Sequence, residues 1–211
     1  MVVQPDAGGE PTQQAQPLTP VPSHQGFYAS TGLTVGFGAR TPIDNAPTSP
    51  SSNESFQTST VLAPNLAVGY SFAGAWRAEA EYVGFYPQAT NDVTENGQFR
   101  QLSGNQVATN AIQFNVFKDI PLGSRFTPYI GGGIGFATSQ YNVVGGSATG
   151  TTFAGQGKVG LSYAVSPTTS VYLGYRVLGI AGGTTLSFWS DRPITGAKVQ
   201  QSLDAGVRFG L

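Results

Sequence analysis

The sequence predicts an all-β fold: an eight-stranded antiparallel up-and-down transmembrane β-barrel, preceded by a disordered N-terminal tail. Three observations carry this expectation. Charged residues make up only 10% of the 211 residues, against roughly 25% in ordinary soluble domains. No stretch approaches the ~18 consecutive apolar residues of a membrane helix. Run after run instead alternates bulky apolar side chains with glycine, hydroxyls and sparse charge, the period of strands whose neighbours point to opposite faces. A sheet in lipid must close on itself to pair its backbone, with apolar groups outward and polar ones enclosed.

Taken in order, residues 1–25 are a polar Pro/Gln-rich segment with too few apolar groups to offset the cost of ordering it. It is expected to be a flexible segment ahead of a barrel domain at 26–211. The first strand, from Gly26 to about Ala39, sets Phe27, Leu33, Val35 and Phe37 against Tyr28, Ser30, Gly32 and Thr34. The second, Val61 to Phe72, sets Leu62, Leu66, Val68 and Tyr70 against Ala63, Asn65 and Ala67. After the tight Ala73-Gly74-Ala75 turn comes the clearest run, with Trp76, Ala78, Ala80 and Tyr82 opposite Arg77, Glu79 and Glu81. A fourth strand, Thr109 to Lys118, opposes Ile112, Phe114 and Val116 to Gln113 and Asn115. The remaining four centre on Ile130–Phe136, Val159–Val165, Val171–Val177 and Val199–Phe209.

Connection lengths agree with this order. Long polar links at about 41–58, 88–107, 141–151 and 180–197 alternate with three short turns, the rhythm of extracellular loops and periplasmic turns. With eight strands both termini fall on the periplasmic side. The apolar set has to face lipid, because an eight-stranded barrel is only just wide enough for its interior side chains. Twelve aromatic rings, among them Phe37, Trp76, Phe114 and Phe209, would overfill it, whereas the set rich in Gly, Ala and Ser fits. Aromatic residues also gather near both strand ends, as at membrane interfaces.

This orientation encloses Arg77, Glu79, Glu81, Lys158, Arg176, Asp204 and Arg208. Unpaired charges there would cost several kcal/mol each, so a luminal ion-pair network is expected, with Glu79 or Glu81 reaching Arg176 or Lys158. Glu79 and Glu81 have the composition of a paired-carboxylate hydrolase, but lie two apart on one strand beside basic partners. His24 is the only histidine and there are no cysteines, which removes Ser–His–acid, thiol and histidine-based metal chemistry from the reading. No catalytic residue, metal site or cofactor is expected. Gly131–Gly135 lies inside a strand pattern with no helix after it, and Gly150–Lys158 misplaces its lysine, so neither reads as a phosphate loop. Net charge is −1 with no basic run, so nucleic acid is excluded as a partner. In the long links, Phe99, Arg100, Phe188, Trp189 and Arg192 are candidates for contact with a surface ligand, the plainer alternative being packing on the barrel rim.

With these residues laid out, the chain resembles the OmpA-type and opacity-protein-like small outer-membrane barrels. The resemblance spans about 25–211 and rests on Trp76–Tyr82, on Asn110–Asn115, on Thr127–Phe136 and on the closing Gly206–Leu211, where Leu211 stands in place of the family's usual terminal aromatic. It implies a mature bacterial outer-membrane protein, shown without its signal peptide, in contact with lipid and acting in envelope integrity, adhesion or host interaction. The peptidoglycan-binding domain of full-length OmpA relatives is expected to be absent, since the last strand closes the chain. A structural or surface-interaction role is therefore the leading expectation. A narrow porin-like channel for ions or small solutes is the alternative, and a soluble ligand-binding barrel is the third.

Overall fold

The computed structural model describes residues 25–38, 40–43, 53–95, 98–143, 146–182, 184–188, 190–194 and 197–211, with side chains for 25–38, 58–87, 106–140, 142, 149–182 and 197–211. The tail assigned to 1–25 lies outside them except for Gln25. The described residues form thirteen strand segments and no helix: β1 (Gly26–Gly36), β2 (Arg40–Ile43), β3 (Asn53–Thr58), β4 (Val61–Phe72), β5 (Trp76–Phe85), β6 (Gln88–Glu95), β7 (Gln98–Asp119), β8 (Phe126–Val143), β9 (Gly146–Ala164), β10 (Thr169–Ile180), β11 (Thr184–Phe188), β12 (Ser190–Ile194) and β13 (Lys198–Gly210). Eight of them close a ring in the order β7-β5-β4-β1-β13-β10-β9-β8, sealed by the β7–β8 pairing, with every pair antiparallel. The chain is an eight-stranded barrel.

Register fixes its dimensions. A circuit of paired residues runs Ser30, Ala67, Glu81, Gln113, Gly135, Ala154, Ile180, Lys198. The Gly36–Ser202 pairing, continued four residues along both strands, then returns it to β1 at position 40. The circuit started at position 30, so the stagger is ten residues. Eight strands with that stagger tilt by about 40° and enclose a backbone cylinder of roughly 8 Å radius. Phe27, near the start of β1, and Phe37, one residue past its end, are ten residues apart in sequence, which at this tilt is about 25 Å of height, the apolar band of an outer-membrane barrel.

The two faces separate cleanly. Phe114 is 62% and Leu173 59% exposed on the outside, while Arg176 and Asp204 are 0% exposed within. Around the outer surface, Phe27, Tyr70, Phe72, Trp76, Phe126 and Tyr163 ring the turn end, with edge or tilted contacts at Phe27–Tyr70 and Phe126–Tyr163. Phe136 and Phe153 stack edge-on toward the loop end. Beyond them the outward residues turn polar: Thr138 and Thr151 share a hydroxyl contact at 2.9 Å, and Asn110 accepts from Tyr82 and Tyr86 at 2.7 and 2.8 Å. Lipid ends there.

Two expectations need correction. Within the long polar links at 41–58, 88–107, 141–151 and 180–197, most of the described residues are in strands. The links hold β2, β3, β6, the upper half of β7, the tips of β8 and β9, and the separate β11–β12 hairpin. Segments β2, β3 and β6 add to β7 as a sheet rising off the barrel. The ladder continues there because its backbone still gains by pairing. Without lipid on one side nothing imposes the apolar alternation that marks a strand in sequence. The lumen is also less uniformly polar than its glycine- and hydroxyl-rich face implies. Its loop end is filled by an apolar cluster of Ala63, Val83, Phe85, Ala111, Ala137, Ala154, Leu178 and Ile180.

Candidate functional site

Below that apolar cap, alternation directs polar side chains from at least seven strands into one column. Residues two apart on β5, Arg77, Glu79 and Glu81, are all buried. Glu81 meets Arg176 of β10 and Lys158 of β9, whose Nζ lies 2.9 Å from Glu81 Oε1. Asp204 of β13 takes Arg176 Nη2 at 2.7 Å and Lys158 Nζ at 3.2 Å. The four form a neutral quartet, each cation touching both carboxylates. Gln156 donates to Glu81 Oε2 at 2.7 Å and Thr34 to Asp204 Oδ1 at 2.9 Å, which occupies further lone pairs. This pairing, which leaves Arg176 Nη1 as a buried nitrogen without a hydrogen-bond partner, is what makes buried charge tolerable, because the interior attraction offsets desolvation only with good geometry and added hydrogen bonds.

A second tier lies toward the turn end. Arg77 holds Asp119 through Nε at 2.8 Å and through Nη2 at 2.9 Å. Tyr28 donates to Glu79 at 2.8 Å, and Arg77 Nη1 stands 3.9 Å from the same carboxylate. The Arg77 guanidinium also faces the Phe117 ring at 4.7 Å. Tyr129 and Tyr172 fill the remaining width, and glycines make room for them: a Cβ at Gly160 or Gly174 would collide with the Tyr129 hydroxyl. Arg208 differs from its neighbours. Its guanidinium lies over the Tyr28 ring at 5.2 Å and the Tyr172 ring at 5.6 Å, and none of the ion pairs among the described residues includes it.

The structure thus brings Glu81, Lys158, Arg176 and Asp204 into one cluster and Arg77 with Glu79 into another, and leaves Arg208 outside both. Asp119 is the residue the sequence reading passes over. It has the parity of Gln113 and Asn115, which was signal enough, and it completes four cations and four carboxylates below the cap. Between the tiers lies a void of about 10 Å³, bordered by Ser30, Glu79, Glu81, Lys158, Tyr172 and Arg208 among others, scarcely one water. At the turn end the lumen opens into a cavity of about 300 Å³ lined by Tyr28, Arg77, Asp119, Ser162, Ser170 and Arg208 among others.

Of the loop candidates, Phe99 and Arg100 fall on β7 opposite Thr94 and Val93, Phe188 on β11 and Arg192 on β12 opposite Leu186. Their side chains, and Trp189 altogether, lie outside the described residues. Among the described residues no cluster of three or more His, Cys, Asp or Glu could hold a metal ion.

The family model for the outer membrane protein beta-barrel domain matches residues 17–207. The chain belongs to that family. Its place is the bacterial outer membrane. Among solved structures it is similar to Neisserial surface protein A (NspA), at 18% identity and a TM-score of 0.60 over 88% of this chain and 97% of that one. OprG from Pseudomonas aeruginosa matches at 15% identity and 0.58, over 89% and 97%. Ail, the attachment invasion locus protein of Yersinia pestis, matches at 14% and 0.50, over 88% and 100%. At these identities the likeness is one of fold. Comparison with curated protein sequences finds no match.

Proposed function

We propose that this protein is a non-enzymatic, non-conducting outer-membrane barrel that serves as an anchor for a surface-exposed, strand-built platform. One observation carries the reading: the lumen is shut twice, by the Glu81–Lys158–Arg176–Asp204 quartet and by the apolar cap above it. An ion crossing it would have to break closed charge pairs and then pass Val83, Phe85, Leu178 and Ile180. Substrate would find no nucleophile–base pair in the lumen, whose carboxylates are held by cations or by Tyr28. What the barrel presents instead is outside the membrane, in the β2-β3-β6-β7 sheet and the β11–β12 hairpin. The platform would offer Phe99, Arg100, Phe188, Trp189 and Arg192 to a partner on another cell or in the medium. The fold neighbour from Yersinia pestis is named for attachment and invasion, a role of the same class.

Planar-bilayer recording and liposome swelling with the refolded full chain test the closed lumen. Currents and solute flux at the background of protein-free membranes are expected. Sustained unitary currents would replace this reading with the narrow channel. The platform is tested by replacing residues 184–194 with a short polar linker: heat-modifiable gel mobility should persist while adherence of expressing cells falls to that of cells lacking the protein. Unchanged adherence would remove this hairpin from the proposal.

A further inference from the structure

The 300 Å³ cavity at the periplasmic mouth has walls unlike the rest of the lumen. Its lining includes serine and threonine side chains such as Ser162, Thr168 and Ser170, with Arg77, Arg208 and Asp119 as its charged groups. Two guanidinium groups and one carboxylate thus face the space. The carboxylate is already engaged by Arg77 in a forked contact. Glu79, the other anion of this tier, borders the small inner void and not the cavity.

Arg208 is the cation of this arrangement without a carboxylate partner, and it is half-buried. Tyr28 and Tyr172 hold its guanidinium by their ring faces, which fixes the group but occupies none of its in-plane N–H donors. Its Nε is buried with no hydrogen-bond partner, and so is the Ser162 hydroxyl lining the same cavity. A guanidinium whose N–H donors have no protein partner, set at a cavity mouth beside serine and threonine side chains, has the chemistry that takes an oxyanion in a charge-assisted contact. A cavity of this size is at the small end of ligand sites. It admits a small phosphate- or carboxylate-bearing solute and excludes a folded partner.

We propose that the periplasmic mouth of this barrel is a binding site for a small oxyanion, seated on Arg208 and the Ser162 hydroxyl and bordered by the Arg77–Asp119 pair. The site is independent of whether the lumen conducts. Approach is through the turn-end mouth of the cavity, from the periplasm.

The experiment is titration of the refolded, isotope-labelled full chain in micelles with inorganic phosphate, and separately with acetate, at constant ionic strength set with chloride. Backbone amide shifts are the readout. Saturable shifts are expected at Ser162, Thr168, Ser170 and Gly210 and not at Val83 or Leu178. Arg208→Gln should weaken binding by roughly tenfold or more, Arg208→Lys by less because it keeps the charge and loses the fork. Lys118→Gln, on the outer surface, should leave it unchanged. Heat-modifiable mobility identifies any variant that fails to fold, and the wild-type titration decides the matter without variants. Linear, non-saturating shifts in the wild type, or equal binding by folded Arg208→Gln, would overturn the site. Phosphate binding without acetate binding, or the reverse, would assign the class of anion.

Discussion

The two charged tiers of the lumen are built from the same residue types and differ in what encloses them. In the middle tier Arg176 and Asp204 are fully buried, and every charge is paired with two opposite ones. In the periplasmic tier Tyr28 and the Arg77–Asp119 pair border an open cavity, and Arg208 rests on aromatic faces with no carboxylate partner. Enclosure forces pairing because a buried unpaired charge is costly, and access to water relaxes that demand. The middle tier accordingly serves as the seal, and the outer tier is free to meet solutes.

The strongest way to break this contrast is to remove one carboxylate from the middle tier. Asp204→Asn leaves Arg176 and Lys158 sharing Glu81, and should destabilise the barrel by about 3–5 kcal/mol, read from urea unfolding in lipid vesicles. A new unpaired charge on the opposite face gives a yardstick. Phe114→Arg, midway across the lipid-facing side of β7, should cost about 2–4 kcal/mol by the same measurement. Removing the equivalent carboxylate from the outer tier, Asp119→Asn, should cost only about 1–2 kcal/mol, since water reaches Arg77 from the cavity. Equal losses for Asp204→Asn and Asp119→Asn would erase the distinction between tiers. The smallest effect lies outside both. Ala75 has φ 61° in the β4–β5 turn, so Ala75→Gly should relieve left-handed strain and gain about 1 kcal/mol, visible as a later unfolding midpoint.

How much of this the sequence discloses depends on what lipid demands of it. Between the interfaces each residue must suit hydrocarbon or a narrow lumen, so the sense of Phe114, Leu173, Glu81 and Arg176 is readable from alternation alone. Pairing is less readable. Arg176 and Glu81 are 95 residues apart and meet only because the ten-residue stagger brings β10 and β5 to one level across the barrel. Val83 and Phe85 have the same parity as Glu79 and Glu81, so their inward sense was available, but bulk pointed to lipid and the apolar cap went unread. Above the interface the lipid constraint ends, and β2, β3 and β6 leave no periodic trace. The isolation of Arg208 was equally hidden, since composition alone gives it the same claim on a carboxylate as Arg77.

The seal can be probed directly because the chain contains no cysteine, so single introduced thiols report on their own surroundings. Ser202→Cys, in the middle of the lumen, and Thr168→Cys, on the cavity, would each be exposed in folded barrels to a small water-soluble maleimide. The account predicts rapid labelling at position 168 and none at 202 until the barrel is unfolded. Labelling of both positions at comparable rates would contradict a closed lumen.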